Sequence, residues 1–361
     1  MKILYVGLQH ENYNSQKGMS FEYNNFLLTL THLAGIDVIE RPFDVIPSIG
    51  KEAFNKKLLM AVEKEKPDLL FVFMYTDEID PKILKAIRAR RTTKIVAWFA
   101  DDYWRFFNYS RRWAPYFDLA VTTSPQAFTW YRHAGFTNAA LSQWACNTDV
   151  YKPRERMKDI DVSFVGQYKR GRGEIIDALH KNQIAVQAYG FGWPARTADA
   201  VQSGGPNGRV SQEEMLNIFS RSRINLNLNV RPGRWEPAVL ARIFLRKSIN
   251  HLVPDIHFVD NLRAWWHFAV PHTHARPFEL AGCRAFTISG YSEGIGDYYE
   301  PDREMVFYRD IDDLVQKIRY YLSHNEEREK IAQAGYERTM RDHTYQKRFK
   351  ELFAKIGILP A

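Results

Sequence analysis

The sequence predicts an α/β protein made of two Rossmann-like domains, with a helical insertion in the second. Short apolar runs typical of buried strands alternate with amphipathic helical segments, which is the pattern of parallel sheets covered by helices on both faces. This alternation stops in a polar, charged stretch at residues 151–158 and then resumes, so we interpret that stretch as an interdomain linker. The length of 361 residues suits two domains.

The first series of elements occupies residues 1–150. Its apolar runs predict five strands, and its amphipathic segments predict three helices. The predicted strands are Lys2 to Leu8, Asp37 to Phe43, Leu69 to Met74, Lys94 to Ala100 and Leu119 to Ser124, and the predicted helices are Ser20 to Leu33, Lys51 to Glu65 and Pro81 to Arg91.

The second series occupies residues 159–337, and the predicted strands alternate with helices there as well. Its predicted strands are Ile160 to Gly166, Ala185 to Trp193, Arg223 to Asn229 and Ala285 to Ser289, and its predicted helices are Glu174 to Lys181, Ser211 to Ser220 and Ile311 to His324. Residues 338–361 are expected to form a C-terminal helix that crosses back to the first domain.

The stretch at residues 231–271 interrupts the second series and is far too long for an ordinary loop. It carries three tryptophans and several arginines, and we expect an inserted helical subdomain. Extra core packing and recognition of an acceptor both explain this composition, and the sequence does not decide between them.

Composition limits the function classes. Fifty lysines and arginines against 42 acidic residues give a net charge of +8, which favours anionic partners such as nucleotides, phospholipid surfaces or nucleic acid. Two cysteines cannot build a disulfide framework, so we expect a cytoplasmic protein. The apolar runs are too short for a signal peptide or a membrane span, and no stable membrane insertion is expected.

Four sequence motifs, taken together, carry a resemblance to a known protein family. The stretch HTHARPFELAGCRAFTISGYSEGIGDYYE covers His272 to Glu300, and WFADDYW (Trp98 to Trp104), VSFVGQYKRGRGEII (Val162 to Ile176) and YGFGW (Tyr189 to Trp193) precede it. In order and approximate spacing these motifs resemble the GT-B glycosyltransferases, most closely the spore-maturation CgeB-like group. The resemblance covers most of the chain except the insertion.

This resemblance implies a GT-B architecture, in which two Rossmann-like domains face a cleft. It also implies a nucleotide-sugar donor in the C-terminal domain, an acceptor in the N-terminal domain, and neither a metal nor another cofactor. A polysaccharide or a surface structure is the typical acceptor, and the basic balance also allows nucleic acid such as a modified DNA base.

The loop before the Arg-Pro-Phe-Glu run predicts part of the donor site. A carboxylate such as Glu279 can accept hydrogen bonds from both ribose hydroxyls, and the resemblance places it there. His274 and Arg276 precede it and would face the diphosphate. Alternatively, Glu279 only opposes the dipole of its helix, and His274 is an ordinary packed histidine.

Two further turns follow strands of the second series. Gly166 is followed by a flexible basic turn, in which Lys169 and Arg170 are the candidates for binding the departing diphosphate. Tyr189 and Gly190 end the next strand and would wall the nucleobase. A solvated basic turn and plain aromatic packing are the alternative explanations.

In the first series, Asp101 and Asp102 directly follow an apolar strand, which aims at least one carboxylate into the predicted cleft. One of them would bind or deprotonate an acceptor hydroxyl, or Asp102 would instead cap the next helix. His10 follows the first strand and is a candidate contact to acceptor or donor. These three residues are the candidate catalytic groups, and no cluster suited to a metal is visible.

Retaining GT-B enzymes often carry two glutamates eight positions apart. If Glu279 is the second of them, the first would stand at position 271. Pro271 stands there. The leading hypothesis remains a metal-independent glycosyltransferase. A non-catalytic GT-B protein that binds a nucleotide sugar or a glycan is the alternative, and a nucleic-acid-binding protein is a third hypothesis that only the charge favours.

Overall fold

The computed structural model describes residues 1–194, 200–201, 208–230, 233–292 and 294–358. The chain divides into two compact units, which are described separately here. Unit 1 comprises Met1–Gln143, Pro232–Val270 and Gln346–Ala361, and unit 2 comprises Trp144–Arg231 and Pro271–Tyr345.

Strands are numbered in chain order. The described residues form β1 (Lys2–Val6), β2 (Asp37–Glu40), β3 (Leu69–Met74), β4 (Lys94–Phe99), β5 (Leu119–Thr122), β6 (Ala139–Leu141), β7 (Ile160–Val165), β8 (Gln187–Tyr189), β9 (Ala200–Val201), β10 (Ser222–Asn227), β11 (Leu245–Ser248), β12 (His251–Pro254), β13 (Thr287–Gly290) and β14 (Val306–Tyr308). Every strand predicted from the sequence is present. The unpredicted ones are short, and two of them lie in the insertion.

The helices are numbered in the same way. The described residues form α1 (Leu28–Thr31), α2 (Ile46–Ile49), α3 (Lys51–Glu65), α4 (Pro81–Ala89), α5 (Asp102–Arg105), α6 (Arg111–Trp113), α7 (Pro125–His133), α8 (Arg170–Lys181), α9 (Gln212–Arg221), α10 (Pro237–Leu240), α11 (Phe258–His267), α12 (Arg276–Gly282), α13 (Ile311–Ser323), α14 (Asn325–Asp342) and α15 (Tyr345–Lys355). None of the helices within the described ranges is long and apolar enough to cross a membrane.

Each unit contains one six-stranded parallel sheet. The strand order is β2-β1-β3-β4-β5-β6 in unit 1 and β14-β13-β10-β7-β8-β9 in unit 2. All six residues of β3 are buried, because helices cover both faces of such a sheet and the strand therefore consists of consecutive apolar residues. The predicted α/β class with two Rossmann-like domains is confirmed.

The inserted segment, residues 233–270, groups with unit 1, whereas the sequence predicted an insertion of the second domain. It contains the antiparallel hairpin β11–β12 as well as helices α10 and α11. Asp260 of α11 accepts hydrogen bonds from Arg111 and Arg112, both at 2.7 Å, and Ala264 packs in a small buried cluster with Trp104. These contacts place the inserted segment in unit 1, and they could not be predicted from the position of the segment in the sequence.

The last helix, α15, also contributes to unit 1 from Gln346 onward. Phe349 is fully buried, and its ring centroid lies 5.4 Å from that of Phe26 and 5.7 Å from that of Phe71. The end of the chain therefore supplies part of the core beneath the first sheet.

Candidate functional site

In unit 2, a basic turn (residues 166–169) connects β7 to α8 at the carboxyl edge of the sheet, where open α/β sheets bind ligands. A second turn holds it in place. The Gly166 amide donates to the Tyr189 carbonyl at 2.8 Å, and the Trp193 indole donates to the Gly166 carbonyl at 3.0 Å. Gly190 has a φ of 133°, and a Cβ there would lie 2.4 Å from the Gly166 oxygen, so only glycine fits.

This packing gives Tyr189 and Gly190 a structural role next to the basic turn. The Tyr189 side chain is buried, and its hydroxyl donates to Gln187 at 2.6 Å. Contact of this pair with a nucleobase stays a prediction.

Of the cations near the basic turn, Arg172 is better placed to bind an anion than the predicted Arg170. Arg170 is largely exposed and forms an ion pair with Glu174 at 2.9 Å, one turn further along α8. Arg172 is half-buried and donates 2.8 Å to the Gln167 carbonyl, and burial followed by the charge of Arg276 lowers its pKa to about 10. It stays protonated at neutral pH. No carboxylate of the described residues lies within ion-pair distance of Arg172.

The loop before α12 lies close to this turn. The rings of His272 and His274 are 4.1 Å apart. Burial, followed by His272, Arg172, Lys169 and Arg276, holds the pKa of His274 well below its usual value, so the ring is neutral at pH 7. The structure thus brings Lys169, Arg172 and Arg276 close to the neutral His274. Glu279 compensates the charge of Arg276, so an anion would chiefly offset the charge of Arg172.

Glu279 is 5% exposed, and both of its carboxylate oxygens have partners within the protein. The Tyr151 hydroxyl donates to Oε1 at 2.9 Å, and Arg276 contacts Oε2 at 2.7 Å. The Arg276 guanidinium also lies over the Phe219 ring. The Glu279 carboxylate and this ring together orient the guanidinium. Contact of Glu279 with a ribose stays a prediction.

In unit 1, His10 follows β1 and is paired with a residue that the sequence reading missed. Its Nδ1 lies 2.9 Å from Asp44 Oδ1, and its backbone amide donates to the same oxygen at 2.8 Å. The amide of Gln9 donates to the other oxygen of Asp44 at 2.7 Å. Asp44 thus fixes the ring and leaves Nε2 as the atom that can accept a proton.

The two aspartates after β4, Asp101 and Asp102, lie in different surroundings. Asp102 is fully buried and accepts hydrogen bonds from Tyr131 at 3.0 Å and from Ser110. Burial raises its pKa to about 7, and those hydrogen bonds oppose the rise. Asp102 therefore does not cap α5, and its contact with an acceptor stays a prediction, whereas Asp101 is exposed.

Asp101 lines a cavity of about 750 Å³ within unit 1, which lies between the first sheet's end loops and the inserted segment. Six cationic and three anionic side chains line the cavity, together with several aromatic rings. The charged residues are Lys51, Arg105, Arg112, Arg242, Arg246 and Lys247, and Asp77, Asp101 and Asp255. The inserted segment therefore both packs against the core and shapes this cavity.

Within the described ranges, no group of three or more His, Cys, Asp or Glu side chains is arranged to hold a metal ion.

Residues 248–354 match the family model described as glycosyl transferase-like. The whole chain is similar in structure to a glycosyltransferase from Rickettsia africae ESF-5, with 10% identity, a TM-score of 0.60 and 98% of each chain covered. It is also similar to a sucrose-phosphate synthase from Thermosynechococcus elongatus, with 12% identity, a TM-score of 0.60, and 98% and 99% of the two chains covered.

A third similar structure is Anabaena HepE in complex with UDP and glucose, with 11% identity, a TM-score of 0.60 and 99% of each chain covered. The chain therefore has the GT-B fold, and identities this low show the fold alone. A comparison with curated proteins finds no match. The CgeB-like subgroup stays a prediction.

Proposed function

We propose that the protein is a glycosyltransferase that moves a sugar from a nucleoside-diphosphate sugar to an acceptor hydroxyl. The observation that carries the proposal is the positive charge gathered at the carboxyl edge of the second sheet, where Arg172 lacks a carboxylate partner among the described residues. The glycosyl transferase-like match over residues 248–354 supports it. The UDP and glucose bound by the structurally similar HepE support a nucleotide-sugar donor.

In this reaction the acceptor oxygen attacks the anomeric carbon of the donor sugar. The bond from that carbon to the diphosphate oxygen breaks, and the diphosphate leaves with the electron pair. Lys169, Arg172 and Arg276 would stabilise the charge that develops on the diphosphate, which is the role a metal plays in other enzymes. We therefore propose a reaction without a metal or another cofactor. We also propose a cytoplasmic location, because two cysteines cannot build a disulfide framework.

The acceptor hydroxyl loses its proton in the same step. His10 is the group best prepared to take it, because Asp44 orients the ring and stabilises the imidazolium that forms. This assignment prefers His10 to the buried Asp102 as the base. Asp101 would bind the acceptor from the cavity of unit 1.

A nucleotide panel in a thermal-shift assay tests the donor site, with UDP, GDP, dTDP, CDP and ADP as ligands. We expect one nucleotide to raise the melting temperature of the wild type, and Arg172→Gln to remove most of that shift. Arg170→Gln is the matched control, because Arg170 already pairs with Glu174 at the surface. Absence of any shift, or equal losses in both variants, would contradict the proposal.

Turnover separates the enzyme from the non-catalytic alternative, which Pro271 favours because a sugar-contacting glutamate is missing at that position. We expect release of the nucleoside diphosphate from the matching donor sugar in the presence of EDTA. Nucleotide binding without any release, with or without added Mg²⁺ and with acceptor mixtures, would favour a binding protein instead.

A further inference from the structure

Three of the six cations in the cavity of unit 1 have carboxylate partners. Lys51 and Arg246 share Asp77, at 3.5 and 3.0 Å, and Arg112 contacts Asp260 at 2.7 Å. Each of these three side chains thus has a carboxylate within ion-pair distance, although Asp77 and Asp260 are each shared by two cations.

The other three cations differ, because an aromatic ring rather than a carboxylate lies beside each of them. Arg105 lies 3.8 Å from the ring centroid of Tyr109, and Lys247 lies 4.5 Å from that of Tyr75. Arg242 lies 4.9 Å from the ring centroid of Trp104. Across the part of the chain that the structure describes, no carboxylate lies within ion-pair distance of these three groups.

Arg242 and Lys247 are exposed to solvent, although desolvation by the surrounding protein lowers the pKa of each. Asp101 is close enough to Arg242 to oppose that effect but does not form an ion pair with it. Lys247 also donates hydrogen bonds to the Tyr75 hydroxyl at 2.6 Å and to Asn12 Oδ1 at 3.2 Å, and Arg105 donates one to the Tyr75 carbonyl at 2.9 Å. The aromatic rings help to hold the cations in place, and the remaining N–H groups of the two guanidinium groups can donate to an anion.

We propose that this cavity binds the acceptor, and that the acceptor carries a phosphate or carboxylate group on the molecule whose hydroxyl receives the sugar. Arg105, Arg242 and Lys247 bind the anionic group, and Asp101 accepts a hydrogen bond from a hydroxyl. A cavity of about 750 Å³ suits a small phosphorylated or acidic saccharide, within the usual range of about 300–1,000 Å³ for small-molecule sites. The proposal rests on the glycosyltransferase function.

Calorimetric titration of the full chain, without nucleotide, tests the binding directly. The probes are inorganic phosphate, a hexose phosphate, a hexuronate and the parent neutral hexose. We expect the hexose phosphate or the hexuronate to bind at least about ten-fold more tightly than the neutral hexose, since a hydrogen bond to a charged group adds that much. The stronger of the two identifies the anionic group.

Arg242→Gln should weaken binding of the anionic sugar by about ten- to a hundred-fold. The matched control is Arg246→Gln, because Arg246 lines the same cavity and is similarly exposed but has Asp77 as its partner. We expect the control to change the affinity less than about three-fold, and circular dichroism spectra should show that both variants are folded. Equal effects of the two substitutions would overturn the proposal.

The titration also separates this proposal from the donor assignment. Anionic sugar binding that depends on Arg242 in a protein that binds no nucleotide would support the cavity and refute the donor site. Nucleotide binding together with equal affinities for the charged and the neutral sugar would refute the cavity alone. Tighter binding of a single-stranded oligonucleotide than of any sugar, lost in Arg242→Gln, would overturn the saccharide acceptor in favour of nucleic acid.

Discussion

Replacement of Gly190 by alanine tests whether the two turns at the edge of the second sheet act as one structure. A Cβ at this position would lie 2.4 Å from the carbonyl oxygen and 2.8 Å from the carbonyl carbon of Gly166. The turns would have to separate by about 1 Å, and alanine would be strained at the φ of 133° by about 1–3 kcal/mol. Weakening of the two hydrogen bonds at Gly166 adds roughly 0.5–1.5 kcal/mol each.

We therefore expect Gly190→Ala to lower the free energy of unfolding by about 2–6 kcal/mol, and to weaken nucleotide binding because the basic turn moves. Gly192→Ala is the control in the same turn. Its φ is 82°, but its Cβ would meet only the Tyr168 Cβ, at 3.5 Å, so the backbone strain of about 1–2 kcal/mol acts alone. Urea unfolding and the nucleotide-induced shift measure both variants. Equal losses would refute the reasoning, since they would show that contact with Gly166 contributes nothing.

Two further predictions concern titratable groups. Because the pKa of Asp102 in the folded protein, about 7, lies above the value of about 3.9 in an unfolded chain, the folded state binds the extra proton between them, and its stability falls as pH rises through that range. Asp102→Asn should flatten this fall, by on the order of 2–4 kcal/mol, in urea unfolding at pH 4 to 8, and parallel curves for variant and wild type would count against it. His10→Ala should lower kcat by about 10²–10⁴-fold. Asp44→Asn should lower kcat by a smaller factor, while the KM for the donor stays unchanged. Unchanged kcat in both variants would exclude His10 as the base.

The alternation of apolar and amphipathic segments predicted most of the fold. Leu69–Met74 and Lys51–Glu65 match their predicted bounds, because a short continuous apolar run favours a buried strand and a long segment of good helix formers favours a helix. The prediction started α8 at Glu174, but the helix starts at Arg170. A Cβ at Gly173 would lie 2.7 Å from the Tyr168 ring, so close packing explains the glycine in the first turn.

This shift of the helix start changed the candidate site as well. In a loop, Arg170 and Arg172 look equivalent, whereas on a helix Arg170 lies one turn from Glu174 and pairs with it. The pairing of His10 with Asp44 escaped prediction for another reason. The two residues are 34 positions apart and meet only because β1 and β2 are neighbours in the sheet.

The last helix has a consequence for how the protein is made. Phe349 fills the space against Phe26 and Phe71, yet about 280 residues separate it from the nearer of the two. At about 5–20 residues per second, the ribosome adds that ring roughly 15–55 seconds after Phe71. Throughout this interval the nascent first unit presents an uncovered aromatic surface, and a chain that stops short of residue 349 keeps it uncovered. Closure of this core therefore has to wait until residue 349 has been synthesised.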